Sequence, residues 1–394
     1  MLSFTSFLTE AKVEKLKHLE HPEDHIVNSG AAGYEHAKKT LIGVHNALQG
    51  RKSQVKITTK WDGAPSIVFG THPENGRFFV ASKSAFNKNP KINYTPEDIE
   101  KNHGHAPGLV EKLKHALEHL PKVTPKGRVF QGDMMYTPGD VQSSSTHYNF
   151  KPNTINYSIR KDSEEGKKVG RAKVGVAVHT EYRGRTLDSM KAKFGVKANS
   201  FGKHSDVHVI DTMTDTGESD YKPEHRREFL TSIRKADQLH RGHDYGHLRG
   251  HEMHVSTYIN QTVRTGETPS VEGLMRHAAT RNAAAGAKLK SAAGKAKVAA
   301  KANADMEHIK RNKAAFQRTF EIHRHLQNAK HALVDALQSG GDYEHDIEGR
   351  KSSGEGHVAL LGNMPTKLVS RRQGGFASSN LLAGGVKQKM VSRT

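Results

Sequence analysis

Lys60 stands in a Trp-Asp-Gly turn between two runs of β-branched residues, in "VKITTKWDGAPSIVFG" (55–70). Two readings fit: the lysine of an ordinary hairpin whose turn is Asp-Gly, or a nucleophile. To attack phosphorus an amine must be unprotonated, and nearby cations or desolvation lower its pKa toward neutrality. The phosphate under attack needs a metal and cationic groups to take up its charge, and carboxylates to hold that metal. The chemistry calls for a strand-borne lysine with an acid close by, then further acids and a lysine on later strands. The chain supplies them in order: Lys60, Asp62 and Gly63, then Asp133 in "FQGDMMY", Glu355 in "GEGHVALLG" and Lys367 in "TKLVSR".

The elements that must position these residues can be read from periodicity. Residues 1–50 predict helices, with Phe4, Phe7 and Leu8 at helical spacing and "YEHAKKTLIGVHNALQG" closing on a glycine. "QVKITTKWDGAPSIVFG" predicts strand, turn, strand, and "GRFFVASKS", "GRVFQGDMMY" and "AKVGVAVHTEY" predict further strands. "TPEDIEKNHGHAPGLVEKLKHALEHLPK" predicts helix, with proline and acids at its opening. Residues 220–340 are largely helical and Ala/Lys-rich, and strands return near 355. The expected layout is a possible cleaved segment (1–10), N-terminal helices (11–50), a strand-rich core in two parts (51–185 and 346–376) around a basic helical insertion (186–345), and a flexible tail (377–394).

These pieces together resemble a known superfamily. "KWDG" looks like motif I of the covalent nucleotidyltransferases, which include ATP-dependent DNA ligases, RNA ligases and mRNA capping enzymes. "VFQGDMMY" resembles motif III, "KVGVAVHTEY" is placed like motif IIIa, "EGHVALLG" resembles motif IV and "TKLVSR" resembles motif V. The resemblance implies an α+β fold: a ligase-like nucleotidyltransferase domain of antiparallel sheets with flanking helices. It implies ATP and Mg²⁺ as cofactors, and a lysyl-AMP formed at Lys60. Asp62 would orient the nucleotide and the nucleophile, and Gly63 would allow the tight turn. Asp133 and Glu355 would contact the ribose or hold Mg²⁺, and Lys367 would bind the α-phosphate and assist pyrophosphate departure.

Some positions depart from the superfamily pattern. Motif III normally carries Glu where Asp133 stands. Motif IIIa normally offers an aromatic ring to stack on the base, where this chain has Val178 or His179. A second motif V lysine is replaced by Val369, so Arg371 or Arg372 is the expected substitute. Pro65 occupies a place where DNA ligases and capping enzymes carry Arg, which points toward the RNA-ligase side. Too few residues follow Lys367 for the OB-fold that many relatives append, so the insertion is expected to supply the polynucleotide surface.

The totals agree with a polyanion partner. The chain has 61 Lys+Arg against 41 Asp+Glu, a formal charge of +20, and 27 histidines. Such a surplus favours nucleic acid through phosphate neutralisation. The basic stretch 281–331 is the expected contact with the phosphate backbone. The absence of cysteine excludes disulfides and thiolate chemistry. No apolar run reaches the roughly 18 residues of a membrane span, and the start lacks the form of a secretory signal.

Two further features stand apart. "HRGHDYGHLRGHEMH" places His240, His243, His247, His251 and His254 at helical spacings, so they would share a face on an unbroken helix: a zinc-binding face or a solvated, pH-sensitive one. "SFTSFLTEA" resembles the capsid-targeting segment of internal head proteins of large contractile-tailed phages, which the prohead protease cuts. A cut after Glu10 fits. "TTKWDGAPSIVFG" and "NKNPKINYTPEDI" also resemble uncharacterised phage proteins. The expected setting is therefore a virion interior or the host cytoplasm after infection, without export or membrane attachment. The function these signs imply is AMP transfer to a nucleic-acid end, RNA more readily than DNA. The alternatives are a non-enzymatic, DNA-associated internal virion protein with a degenerate ligase fold, and AMP transfer to a protein.

Overall fold

The computed structural model of the chain describes residues 19–337 and 343–372. Its helices in chain order are α1 (His25–Leu48), α2 (Pro96–His103), α3 (Pro107–His119), α4 (Glu164–Arg171), α5 (Pro223–His240), α6 (Glu252–Thr265), α7 (Val271–Ala287), α8 (Ala292–Arg311) and α9 (Lys313–Val334). The strands of the first half are β1 (Val55–Thr59), β2 (Ser66–Thr71), β3 (Phe78–Ala81), β4 (Val129–Tyr136), β5 (Gln142–Ser143), β6 (His147–Phe150) and β7 (Asn156–Arg160). The rest are β8 (Val174–Arg183), β9 (Lys191–Phe194), β10 (Val207–Ile210), β11 (Glu344–Ile347), β12 (Arg350–Lys351), β13 (His357–Leu361) and β14 (Met364–Leu368). The protein is α+β, and it divides into two units.

The first unit comprises residues 54–218 and 343–365. Its largest sheet runs β10-β8-β4-β2-β3, with β9 on β8, and every pair is antiparallel except β10 with β8. Residues on β4 and β8 alternate between two buried faces, which is why both read as near-continuous apolar runs. Ile67, Phe69, Phe130, Met134, Val174, Val176 and Val178 form one face with Val110, Leu113, Ala116 and Leu120. The last four recur along α3 and the turn after it at three- and four-residue spacing, the stripe that a helix lays on a sheet. The predicted helix over 95–122 is two helices, α2 and α3. Thr95 and Asp98 form a capping box at the first, and each helix opens on a proline. Val68, Phe79, Ala81, Val129, Tyr182, Met190 and Ala192 pack on the opposite face.

A second sheet has the order β1-β13-β14, and β14 carries the chain out of this unit after Pro365. A third sheet, β12-β11-β7-β6-β5, was not anticipated from the sequence. The strand-rich unit runs to 218, past the expected boundary at 185, because β9 and β10 extend the main sheet.

The expected hairpin at Lys60 is not what forms. β1 pairs with β13, Val55 opposite Leu361 through Thr59 opposite His357, while β2 pairs with β3 and β4. The Lys-Trp-Asp-Gly stretch therefore passes between sheets and closes no turn between paired strands.

The second unit comprises 20–53 and 219–337 together with residues from 366 onward. α9 packs along α5 and α1 in this unit, and α7 and α8 form a helical hairpin. Lys330 on α9 is fully buried, donating to Glu23 at 2.5 Å and lying 3.1 Å from His21 Nδ1. Arg371 forks onto Asp24 with bonds of 2.7 and 2.6 Å, and His323 Nε2 lies 3.1 Å from the same carboxylate. Burial draws the Lys330 pKa down to about 8 against the opposing pull of Glu23. Each charge has its partner inside, and removing one would strand the other.

The core of the first unit yields a stability test. Phe130 is fully buried, with Phe69 and Phe201 ring centroids at 6.1 and 4.7 Å. Phe130→Ala should lose about 3–5 kcal/mol, the cost of a large core cavity, read as a lower urea midpoint.

Candidate functional site

The site is built on the passage from β1 to β2. The backbone N–H of Lys60 donates to Gly356 O at 2.8 Å, just before β13, so β1 and β13 deliver Lys60 and Glu355 to the same end of their sheet. The Lys60 ammonium donates to the Glu355 carboxylate in a short ion pair. Glu355 is 8% exposed. These partners lie 295 residues apart in sequence, so only the folded sheet brings them together.

Asp133 arrives from β4. Gly63 packs so closely on it that a Cβ at 63 would lie 2.7 Å from Asp133 Cβ and 2.9 Å from Met134 O. Glycine is needed there by contact, and the backbone ties Ala64 N to Met134 O and Met134 N to Pro65 O, both at 2.9 Å. Lys112 on α3 braces the same stretch by donating to Ala64 O at 3.2 Å. Ser66 stands opposite Asp133 across the β2–β4 pair. A chain of bonds backs it: Tyr182 OH donates to Gln131 Oε1 (2.6 Å), and Gln131 Nε2 donates to Ser66 Oγ (3.0 Å).

His179 lies on the same side. The register between β4 and β8 shifts between Gln131 and Gly132, leaving His179 as the extra residue of a bulge. Gly132 permits this close approach, since a Cβ there would meet Ala177 O at 2.7 Å. His179 Nε2 sits 3.6 Å from Asp133 Oδ2, and Nδ1 lies 2.7 Å from Thr180 Oγ1. Burial alone would raise the Asp133 pKa, but His179, the charge of Lys60 and the Ser66 hydroxyl outweigh it, and the carboxyl titrates below its ordinary value. Asp133 is thus held as a carboxylate beside a lysine that already has one.

Asp62 does other work. Its carboxylate accepts from Asn153 Nδ2 (2.7 Å), Thr154 N (2.7 Å) and Ile155 N (2.8 Å), and its own N–H donates to Tyr157 OH at 2.8 Å. All its partners lie on the loop and strand at the start of β7. This role as an anchor to the third sheet was not visible in the sequence. The alternation Phe150, Tyr157, Ile159 around that loop was the available signal. Trp61 is buried against Tyr157 and Tyr343, its Nε1 donating to Asp211 O at 3.3 Å.

Two expected site residues are corrected, Val178 and Arg371. Val178 is 2% exposed and its side chain belongs to the core over α3, so it offers no surface to a base, and His179 stands on the site face instead. Arg371 is committed to Asp24 and Glu23 inside the second unit, where a phosphate-binding role would break its fork on Asp24. Asp62 is fully engaged by its loop. Lys367 lies on β14 beyond the passage into the second unit, with its N–H donating to Glu20 O at 2.8 Å. Arg372 pairs with Asp335.

The five histidines do not share a helical face, because α5 ends at His240 and α6 begins at Glu252. His240 stacks on Tyr34 with centroids 3.8 Å apart. His243 and His247 both reach Thr319 Oγ1 (2.9 and 3.0 Å), and His251 stacks on His308 at 4.1 Å. They are internal packing and hydrogen-bonding groups, not a solvated stripe. Among the described residues no group of three or more His, Cys, Asp or Glu is placed to hold a metal ion. A cavity of about 130 Å³ lined by His147, Ser158, Arg160, Ser163 and Glu344 lies on the side of β7 opposite Tyr157, as period-two alternation requires. It therefore faces away from the Asp62 anchor.

Fold and site define an α+β protein with a lysine, two carboxylates and an imidazole gathered from four segments of the chain. It belongs to the family described as "Family of unknown function (DUF6267)", which matches residues 16–384. No curated protein and no solved structure matches the chain. No helix among the described residues is long and apolar enough to cross a membrane.

Two outcomes follow for this region and the histidines. Asp62→Asn presents an amide where two backbone N–H groups donate, and should cost about 1–3 kcal/mol through those unmet donors, read by urea unfolding. His243 in the second unit and His345 in the first are pushed down to about 4, chiefly by burial. Between about pH 6.5 and 4 the unfolded chain binds more protons than the folded one, so stability falls as pH falls through that window. His243→Gln should flatten that slope. Asp133, with its depressed pKa, adds its own loss only as pH falls below the usual carboxylate value of 3.8.

Proposed function

We propose that the protein is a ligase-like nucleotidyltransferase that forms a lysyl-AMP at Lys60 and passes the AMP to a nucleic-acid end. The observation carrying this reading is the placement of Lys60 on a passage between sheets, bonded to Glu355 and close to Asp133. A hairpin lysine would need none of these. Lys60 Nζ attacks the α-phosphorus of ATP, a P–N bond forms, the bond to the β-phosphate oxygen breaks and pyrophosphate leaves. Glu355, already the acceptor of the Lys60 hydrogen bond, takes the ammonium proton before the attack, and the second proton shed by the nitrogen as the P–N bond forms passes to solvent. Asp133 and Glu355 are the residues that would hold Mg²⁺, which neutralises phosphate charge. Two carboxylates suit that ion, since it commonly completes its shell with water and phosphate oxygens. His179, on its bulge, is the residue nearest to the role of the missing stacking ring.

The acceptor is RNA in preference to DNA on the strength of Pro65, and AMP transfer to a protein is the variant of the same chemistry. The setting is a phage virion or the infected host cytoplasm. That assignment rests on the segment through Glu10, which like the tail 377–394 lies outside the described residues, and on the resemblance of "TTKWDGAPSIVFG" and "NKNPKINYTPEDI" to phage proteins. Burial of Val178, the internal pairing of Arg371 and the full engagement of Asp62 favour a second reading, a ligase-shaped virion protein without activity.

Incubation with ATP labelled at the α-phosphate and Mg²⁺, followed by a denaturing gel, separates them. The expected result is a covalent label on the wild type that falls at least about 100-fold in Lys60→Ala, a loss typical of a missing nucleophile. A wild type that takes no label from any ribonucleoside triphosphate, with Mg²⁺ or Mn²⁺, would overturn the enzymatic reading.

A further inference from the structure

The sequence points to 281–331 as a basic surface, and the structure concentrates the exposed charge in its first part and the residues just before it. Between Glu272 and Asp305 the chain has no carboxylate and carries Arg276, Arg281, Lys288, Lys290, Lys295, Lys297 and Lys301. These residues lie on α7, α8 and the turn between them, and all are exposed. Lys301 pairs with Asp305, and Arg281 donates to Thr257 Oγ1 at 2.6 Å. Lys288, Lys290, Lys295 and Lys297 form no ion pair among the described residues. Residues 313–331, by contrast, belong to α9, which is largely buried and includes the internal Lys330.

The hairpin is unusual for how little it buries. Ala278 is the last buried residue of α7, and α8 buries only Asp305 and Ile309 near its end. The two helices meet through small residues, with a Cβ at Gly286 falling 3.8 Å from Val298 Cγ1. Alanine, the strongest helix former, maintains helices that gain little from packing. Its exposed positions leave smooth faces from which the lysines and arginines project.

We propose that this α7–α8 hairpin is a sequence-independent binding element for the phosphate backbone of duplex nucleic acid. α8 has 20 residues, about 30 Å at 1.5 Å per residue, or roughly nine base pairs of backbone at 3.4 Å per step. The hairpin segment 273–304 contains no Phe, Tyr or Trp, whereas single strands are held by aromatic stacking. An anionic membrane would call for large apolar side chains beside the lysines. Leu289, at 36% exposure, is the only exposed large apolar residue on the hairpin. The proposal deepens the functional reading by naming how the polynucleotide is gripped, but its chemistry does not pass through Lys60.

The test uses the full chain and a labelled duplex of about 30 base pairs, with affinity followed by fluorescence anisotropy across a potassium chloride series. The wild type should bind unrelated sequences equally. Its log affinity should fall linearly with log salt. The variant Lys288→Gln/Lys290→Gln/Lys295→Gln/Lys297→Gln should keep its helical circular dichroism and lose about 3–4 from that slope, near 0.9 per phosphate contact. A variant with the wild-type slope would overturn the proposal. So would tighter binding to a single strand of the same length, or to phosphatidylserine vesicles with no duplex binding. Lys60→Ala should bind duplex as the wild type does, so failure of adenylation leaves this result intact, and the converse holds.

Discussion

The short stretch from Lys60 to Gly63 is in contact with all three sheets of the first unit, and the Asp62 carboxylate is the tie that fixes it. Lys60 follows β1 and hydrogen-bonds toward β13, Gly63 lies against Asp133 on β4, and Asp62 accepts three bonds from the approach to β7. A buried carboxylate with three donors is satisfied only in one arrangement of those segments, and losing any donor leaves charge uncompensated. The direction in which Lys60 points is therefore set by a residue that does not itself face the site. The geometry around the lysine is held by the third sheet as much as by the two that carry the charged groups.

Much of this was readable in advance, for identifiable reasons. The strands that bear Lys60, Asp133, Val178 and Glu355 were legible because β-branched and aromatic residues run together where both faces are buried. The meeting of Lys60 with Glu355 depends on pairing across 295 residues, which no local pattern encodes. The ordered appearance of acids and lysines suggested it without fixing the partner strand. The faces of β8 could not be assigned from sequence because a bulge at His179 breaks the alternation. Val178 and His179 exchange roles as a result. Asp62 reads as a turn residue in sequence, and its donors are backbone groups whose positions any sequence could supply.

The charged residues divide by burial. Arg371 and Lys330 look like surface cations in a chain of formal charge +20, yet both are internal and paired. The lysines of the α7–α8 hairpin look similar in composition but lie on helices that bury almost nothing. Net charge alone could not separate these groups, whereas the spacing of large apolar residues does. α9 carries Phe316, Phe320, Leu326 and Leu333, and the hairpin beyond Ala278 buries no apolar side chain until Ile309 near the end of α8. A cation on a helix with a strong apolar stripe is drawn toward an interior partner, and one on an alanine helix is left to solvent.

β13 is the last strand needed to complete the lysine's surroundings, and it follows β1 only after the whole second-unit insertion. A nascent chain on the ribosome has therefore synthesised β1, β2 and β4 long before the segment bearing Glu355 emerges. Until then the β1 edge that will receive β13 has no partner, and the contact order of this closure is high, which makes it a slow step. The lysine is thus assembled into its carboxylate surroundings late, and a chain halted before Glu355 would present Lys60 without its acceptor. In such a protein, acquisition of the site reports completion of synthesis and folding of the first unit together.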